Sequence, residues 1–188
     1  MTRMEMLDPD TSDPVVKPVF ERLKQRWGVV LHLYRLLGWS PLLVKAWAQF
    51  AWSLRFEVAA SRRLRELLVI HIARHLGARY EYVHHVGMAQ DEGITQEQIS
   101  ALPHWRASGL FDADELLILQ LGDELALAPS ASASTMAALQ ERFSKSDVME
   151  LLVTGAYYCG VARVVNSLDL ELEPGHEDLR PRDVPSSH

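Results

Sequence analysis

The chain has 188 residues, 48% of them hydrophobic and 23% charged, an ordinary balance for one globular domain with a single core. A net charge of −6 with no basic cluster argues against a general affinity for nucleic acid or anionic membranes. Cys159 is the only cysteine, which excludes an intrachain disulfide, a zinc knuckle and a two-thiol redox centre.

Residues 1–13 are polar and include Pro9, so they read as a loose arm. They lack the apolar stretch of a signal peptide. The longest apolar run, residues 151–165, is short for a bilayer and holds Gly155, Gly160 and Arg163. A cytoplasmic protein is therefore expected.

Residues 15–27 form an amphipathic helix that Gly28 closes, while 30–37 could be helix or strand by pattern. Ser40-Pro41 starts a helix, with Ser as N-cap and Pro at the first helical position. It carries Leu43, Ala46, Trp47, Phe50 and Leu54 at helical spacing. Ser61 begins the next helix, which stops at Gly77, and residues 80–91 follow until Gly93. Thr95 with Gln98, and Asp112 with Glu115, have capping-box spacing. The first opens a short helix ended by Pro103, the second a helix ended by Pro129. Residues 135–142 are helical, and Ser146-Asp147 opens the last long helix, to about Leu168. No sustained period-two alternation appears, so the fold class is all-α. One domain is expected over 14–172, with the charged, proline-bearing residues 173–188 as a flexible tail.

Three groups of residues invite chemistry. Glu81 and His85 stand four apart on one helix face, with His84 beside them, and a carboxylate there can hold a tautomer and tune an imidazole. Glu66 lies in an apolar arc with Val69, Ile70 and Ala73, where a carboxylate needs a partner. Its bland reading is a structural carboxylate meeting an arginine such as Arg55 or Arg163. Arg163, with Asn166, could anchor a substrate carboxylate or bridge to an acidic side chain. His71 and His75 are also four apart, on the side of their helix away from Glu66. Two imidazoles do not close a metal site, further ligands are not indicated, and no metal is expected.

The stretch LRELLVIHIARHLGARYEYVHHVGMAQDEGITQEQISAL resembles the carboxymuconolactone decarboxylase-like family, which includes the alkyl hydroperoxidase D branch. SPLLVKAWAQFAWSLRFE before it, FDADELLILQLGDEL after it and ELLVTGAYYCGVARVVNSLDLELE at the end extend the likeness over most of residues 30–173. The redox branch carries a glutamate, eleven residues, then Cys-x-x-Cys-x-x-x-His. On this chain the glutamate is Glu66 and the histidine His85, but Ala78 and Glu81 stand where the cysteines would. Thiol-based peroxide reduction is thus not expected, and Cys159 lies in another helix.

The resemblance implies a helical fold assembling as a homo-oligomer, a trimer or hexamer, and acid/base chemistry without a cofactor. In that reading His85 transfers a proton at carbon, Glu81 orients it, and Glu66 is a second acid/base or a relay. Arg55, Tyr80, His84 and Arg163 are the candidate substrate-binding residues. The expected activity is a lyase (decarboxylase) or isomerase acting on a small lactone or organic acid. The alternatives are a non-catalytic oligomeric binding protein and, behind it, a peroxidase-type activity.

Overall fold

The computed structural model describes residues 2–175. Those residues hold ten α-helices and one 3₁₀ turn, with no strand among them, so the chain is all-α. Its contacts gather into two compact units, residues 1–57 with 167–188, and residues 58–166.

In the first unit, α1 (Val16–Trp27) buries Val16, Phe20, Leu23 and Trp27, a stripe at helical period. Asp13 Oδ1 accepts the amides of Val15 and Val16 at 2.8 and 3.0 Å, and Gly28 ends the helix with φ 79°. The ambiguous segment is a helix, α2 (His32–Leu37). Four of its six residues are buried, which is why no period could be read from it. Helix α3 (Pro41–Phe56) has Pro at its first position, but the Ser40 side chain makes no cap bond. It buries Val44, Ala51 and Leu54, while Leu43 and Phe50 of the expected stripe are 48% and 45% exposed.

Residues 2–13, expected as a loose arm, are instead hydrogen-bonded to the chain. Arg3 N donates to Leu168 O at 2.8 Å, and Leu7 pairs with Arg35 through Leu7 N to Arg35 O at 3.2 Å and Arg35 Nε to Leu7 O at 2.9 Å. Trp39 Nε1 donates to Glu5 O at 2.8 Å. At the other end, buried Glu173 accepts the His32 amide at 2.6 Å. The start of the expected tail is therefore docked, and its remainder, 176–188, lies outside the described residues.

The second unit runs α4 (Arg62–His75), α5 (Arg79–Asp91), α6 (Gln96–Ala101), the 3₁₀ turn Leu102–His104, α7 (Trp105–Ser108), α8 (Ala113–Leu127), α9 (Ala133–Arg142) and α10 (Lys145–Ser167). Both capping boxes form as their spacing indicated. The last helix starts earlier than expected, because Ser144 Oγ rather than Ser146 takes the Asp147 amide, at 3.1 Å. Helix α4 is the hub, packed chiefly on α5 and α8. One core cluster joins Leu64, Leu68 and Ile72 of α4 to Ile118 and Leu121 of α8 and Leu151 of α10. A second joins Leu67 and Ile70 to Ile94, Leu102, Trp105 and Leu119. Gly155 is needed for this packing, since a Cβ there would stand 2.5 Å from Leu125 Cδ1.

Helix α10, at 23 residues with an 18-residue stretch of mean hydropathy 1.4, is long and apolar enough by length and composition to cross a membrane, longer than the run read from the sequence. Its apolar character has a simpler use, since Val148, Leu151, Tyr158, Val161 and Val165 are buried within the fold.

Candidate active site

Ten of the fourteen residues of α4 are buried, Glu66 among them. The short connection through Gly77, at φ 62°, folds α5 back along α4 and brings Glu66 to His85. His85 Nδ1 donates to Glu66 Oε2 at 2.7 Å, and both side chains are almost fully enclosed, at 2% and 7% exposure. The sequence reading assigned this orienting contact to Glu81, one turn away on the same helix. In the structure Glu66 makes a contact of this kind from the other arm of the hairpin. Glu81 is also buried, close enough to Cys159 for its charge to act on that thiol.

Arg62 stands beside Glu66, its Nε 3.8 Å from Oε1 and 3.4 Å from Glu92 Oε1. Arg65, buried in the same turn, donates through Nε to Ala60 O at 3.0 Å. Burial lowers its pKa and the Glu66 charge opposes that. The ring of buried Tyr158 stands edge-on to His85, with centroids 4.9 Å apart. Helix α10 brings Tyr158 to the imidazole. Tyr80 and His84, one turn apart on α5, have ring centroids 4.5 Å apart and are both buried.

Arg55 belongs to the first unit, its guanidinium 5.5 Å from the Trp27 ring centroid, and it lines a cavity there with Arg22, Tyr34 and Trp52. Arg163 is exposed and donates from Nη1 to Cys159 O, one turn back, at 2.6 Å. Asn166 Nδ2 reaches Leu76 O at 2.8 Å. Cys159 is buried, and that burial pushes its thiol above the ordinary range against the opposing pull of Arg163.

On the other arc of α4 the structure assembles a cluster that the sequence left incomplete. His71 Nε2 and His75 Nε2 both approach Asp123 Oδ1 of α8, at 2.6 and 2.7 Å. Arg106 Nη2 holds Oδ2 at 2.8 Å. Burial would raise the Asp123 carboxyl, but hydrogen bonds and charge from His71, His75 and Arg106 hold it far below its usual range. Burial likewise lowers His71 despite the carboxylate. Asp123 gave no sign of this role because its partners are about fifty residues away in sequence.

Residues 41–124 match the sequence profile of the Carboxymuconolactone decarboxylase family, CMD. Among curated proteins, none matches the chain by sequence. Solved structures do share the fold. An uncharacterized peroxidase-related protein from Silicibacter sp. TM1040 has a TM-score of 0.78 at 15% identity, with 94% of each chain covered. The alkylhydroperoxidase AhpD core protein from Ralstonia eutropha JMP134 has a TM-score of 0.77 at 13% identity, covering 92% of this chain and 93% of its own. A variant of the debrominase Bmp8, in complex with 2,3,4-tribromopyrrole, has a TM-score of 0.74 at 17% identity, covering 93% of this chain and 95% of its own. Over residues 41–124 the chain carries the profile of the carboxymuconolactone decarboxylase family, with Ala78 and Glu81 where the redox branch has cysteines, and it has the AhpD-like fold.

Proposed function

We propose that this protein is an acid/base enzyme, a lyase of the decarboxylase kind or an isomerase, acting on a small lactone or organic acid. The observation that carries this reading is the enclosed 2.7 Å bond between His85 Nδ1 and Glu66 Oε2. A carboxylate on Nδ1 selects the tautomer and raises the basicity of the ring, so that proton exchange with substrate falls to Nε2. In a decarboxylation the bond to the departing carboxylate breaks and carbon dioxide leaves. Its electron pair passes into the conjugated lactone as an enolate, and His85 then delivers a proton from Nε2 to that carbon. In an isomerisation the same nitrogen removes a proton at one carbon and returns it at another. Neither route asks for a cofactor. Glu66 is the positioning residue, and buried Glu81, Tyr80 and His84 on the same helix as His85 are the nearest candidates for substrate contact.

Thiol chemistry fits less well, since Ala78 and Glu81 occupy the cysteine positions and the Cys159 thiol is buried and raised. We extend the proposal to a cytoplasmic homo-oligomer. Leu42, Leu43 and Phe50 of α3, at 78%, 48% and 45% exposure, support a covered apolar face.

The test is a panel of carboxylated lactones and β,γ-unsaturated acids incubated in deuterium oxide and followed by NMR. Deuterium entering at one carbon, with loss in His85→Ala and Glu66→Gln, is the expected result. Turnover that survives both substitutions unchanged sinks the assignment.

A further inference from the structure

We propose that His71, His75 and Asp123 bind one divalent transition-metal ion, on the arc of α4 away from the Glu66–His85 pair. Spacing of four residues sets both imidazoles on one helix face, and α8 brings the carboxylate to them. The three ligand atoms lie within 4.8 Å of one another. The two Nε2 atoms are 3.3 Å apart, about the edge of a tetrahedron built on metal–nitrogen bonds of about 2.0–2.1 Å. Asp123 Oδ1, at 2.6 and 2.7 Å from the two nitrogens, has to retreat by about 0.8 Å to complete that face.

The hydrogen-bond inventory favours an ion over bare side chains. For two neutral rings to bond Oδ1, both must carry their proton on Nε2. Those two N–H groups then crowd each other, and Arg74 Nη2, a third donor, sits 3.1 Å from His75 Nε2. Two N–H donors then share one acceptor oxygen, and the Arg74 donor faces the His75 N–H. A metal removes the conflict by taking both nitrogen lone pairs and the oxygen together. Arg74 is not anchored against this, for its buried Nε has no hydrogen-bond partner and it pairs with no carboxylate among the described residues.

The surroundings are those of a supported site. Arg106 on Oδ2 acts as an outer-shell partner that turns Oδ1 inward. Trp105 stands edge-on to His71. Gly122, the residue before Asp123, leaves room for the His71 ring, since a Cβ there would lie 2.9 Å from Cδ2. On the outer side, His75 and Asp123 line a cavity with Arg74, His104, Trp105 and Arg106. That leaves three protein ligands and an open position for water or a small anion. Two imidazoles and one carboxylate suit zinc, cobalt or nickel over magnesium or calcium.

The experiment is a zinc titration of the full chain, freed of metal with a chelator, followed by calorimetry, and a parallel cobalt titration read by visible absorbance. One ion per chain, with cobalt bands of a four- or five-coordinate site, is expected. His75→Ala and Asp123→Asn should each abolish saturable binding, although the other histidines of the chain remain. Arg106→Ala, on an exposed side chain, should weaken affinity by about 10–100-fold and decides the matter if an interior variant fails to fold. No saturable binding in the wild type, or wild-type affinity in these variants, overturns the proposal.

Discussion

The two arcs of α4 solve the same problem in opposite ways. Each sets imidazole against carboxylate at 2.6 to 2.7 Å in the interior. On one arc a single ring meets a single carboxylate through Nδ1, which leaves the ring's other nitrogen for proton transfer. On the other arc two rings turn their Nε2 atoms onto one oxygen, and an arginine holds the second oxygen in place. The first arrangement suits moving a proton, and the second suits holding a cation. The difference teaches that burial and distance alone do not define a site; the ring nitrogen engaged and the number of donors per acceptor do.

The largest test of the comparison lies on the first arc. His85→Ala should lower turnover of the true substrate by about 10²–10⁴-fold, the usual weight of a general acid or base. The same substitution should leave zinc binding unchanged, whereas His75→Ala should do the reverse. Steady-state rates and calorimetry on the two variants measure both halves, and crossed effects would break the separation.

Next in size is Gly122→Ala. Its new methyl meets a fully buried ring at 2.9 Å, and overpacking of this kind costs about 1–3 kcal/mol. Urea unfolding should show that loss, and zinc binding should weaken with it because the ring that must shift is His71.

A smaller effect separates enclosed pairs from surface ones. Asp114→Asn removes an ion pair with Arg142 in which both side chains are at least 40% exposed, so stability should change by about 0–1 kcal/mol. Glu66→Ala, which strands a buried imidazole, should cost about 1–3 kcal/mol. Equal values from urea unfolding would show that enclosure is not what distinguishes the α4 pair.

The smallest expected effect concerns acid. Burial would raise Glu124, but bonds from Ser132, Gln120 and Thr135 outweigh it and hold the group below its ordinary 4.5. The unfolded chain therefore binds the proton more tightly, so this contribution is complete above pH 4.5 and fades as pH falls through the lower folded value. Glu124→Gln should flatten the slope of stability against pH below 4.5 and leave it unchanged near neutrality.

Much of the architecture was legible locally. Gly28 and Gly77, the two capping boxes and the apolar period of α1 are short-range devices, and each acts within a turn or two of chain. Glu66 and His85 were legible as a pair through their spacing in a family motif, and Glu66 also through its apolar neighbours, since a carboxylate there demands a partner. What the residues in order could not carry is which groups meet across helices. Glu66 meets His85 because the hairpin at Gly77 folds α5 back along α4. Asp123 completes the His71–His75 cluster because α8 packs on α4, with a glycine at the contact. Arg163, an anchor candidate on charge alone, donates to the Cys159 carbonyl one turn back. Side-chain type and spacing determined the helices and the kinds of chemistry available, whereas packing between helices decided the partners, because pairing depends on positions that sequence distance does not encode.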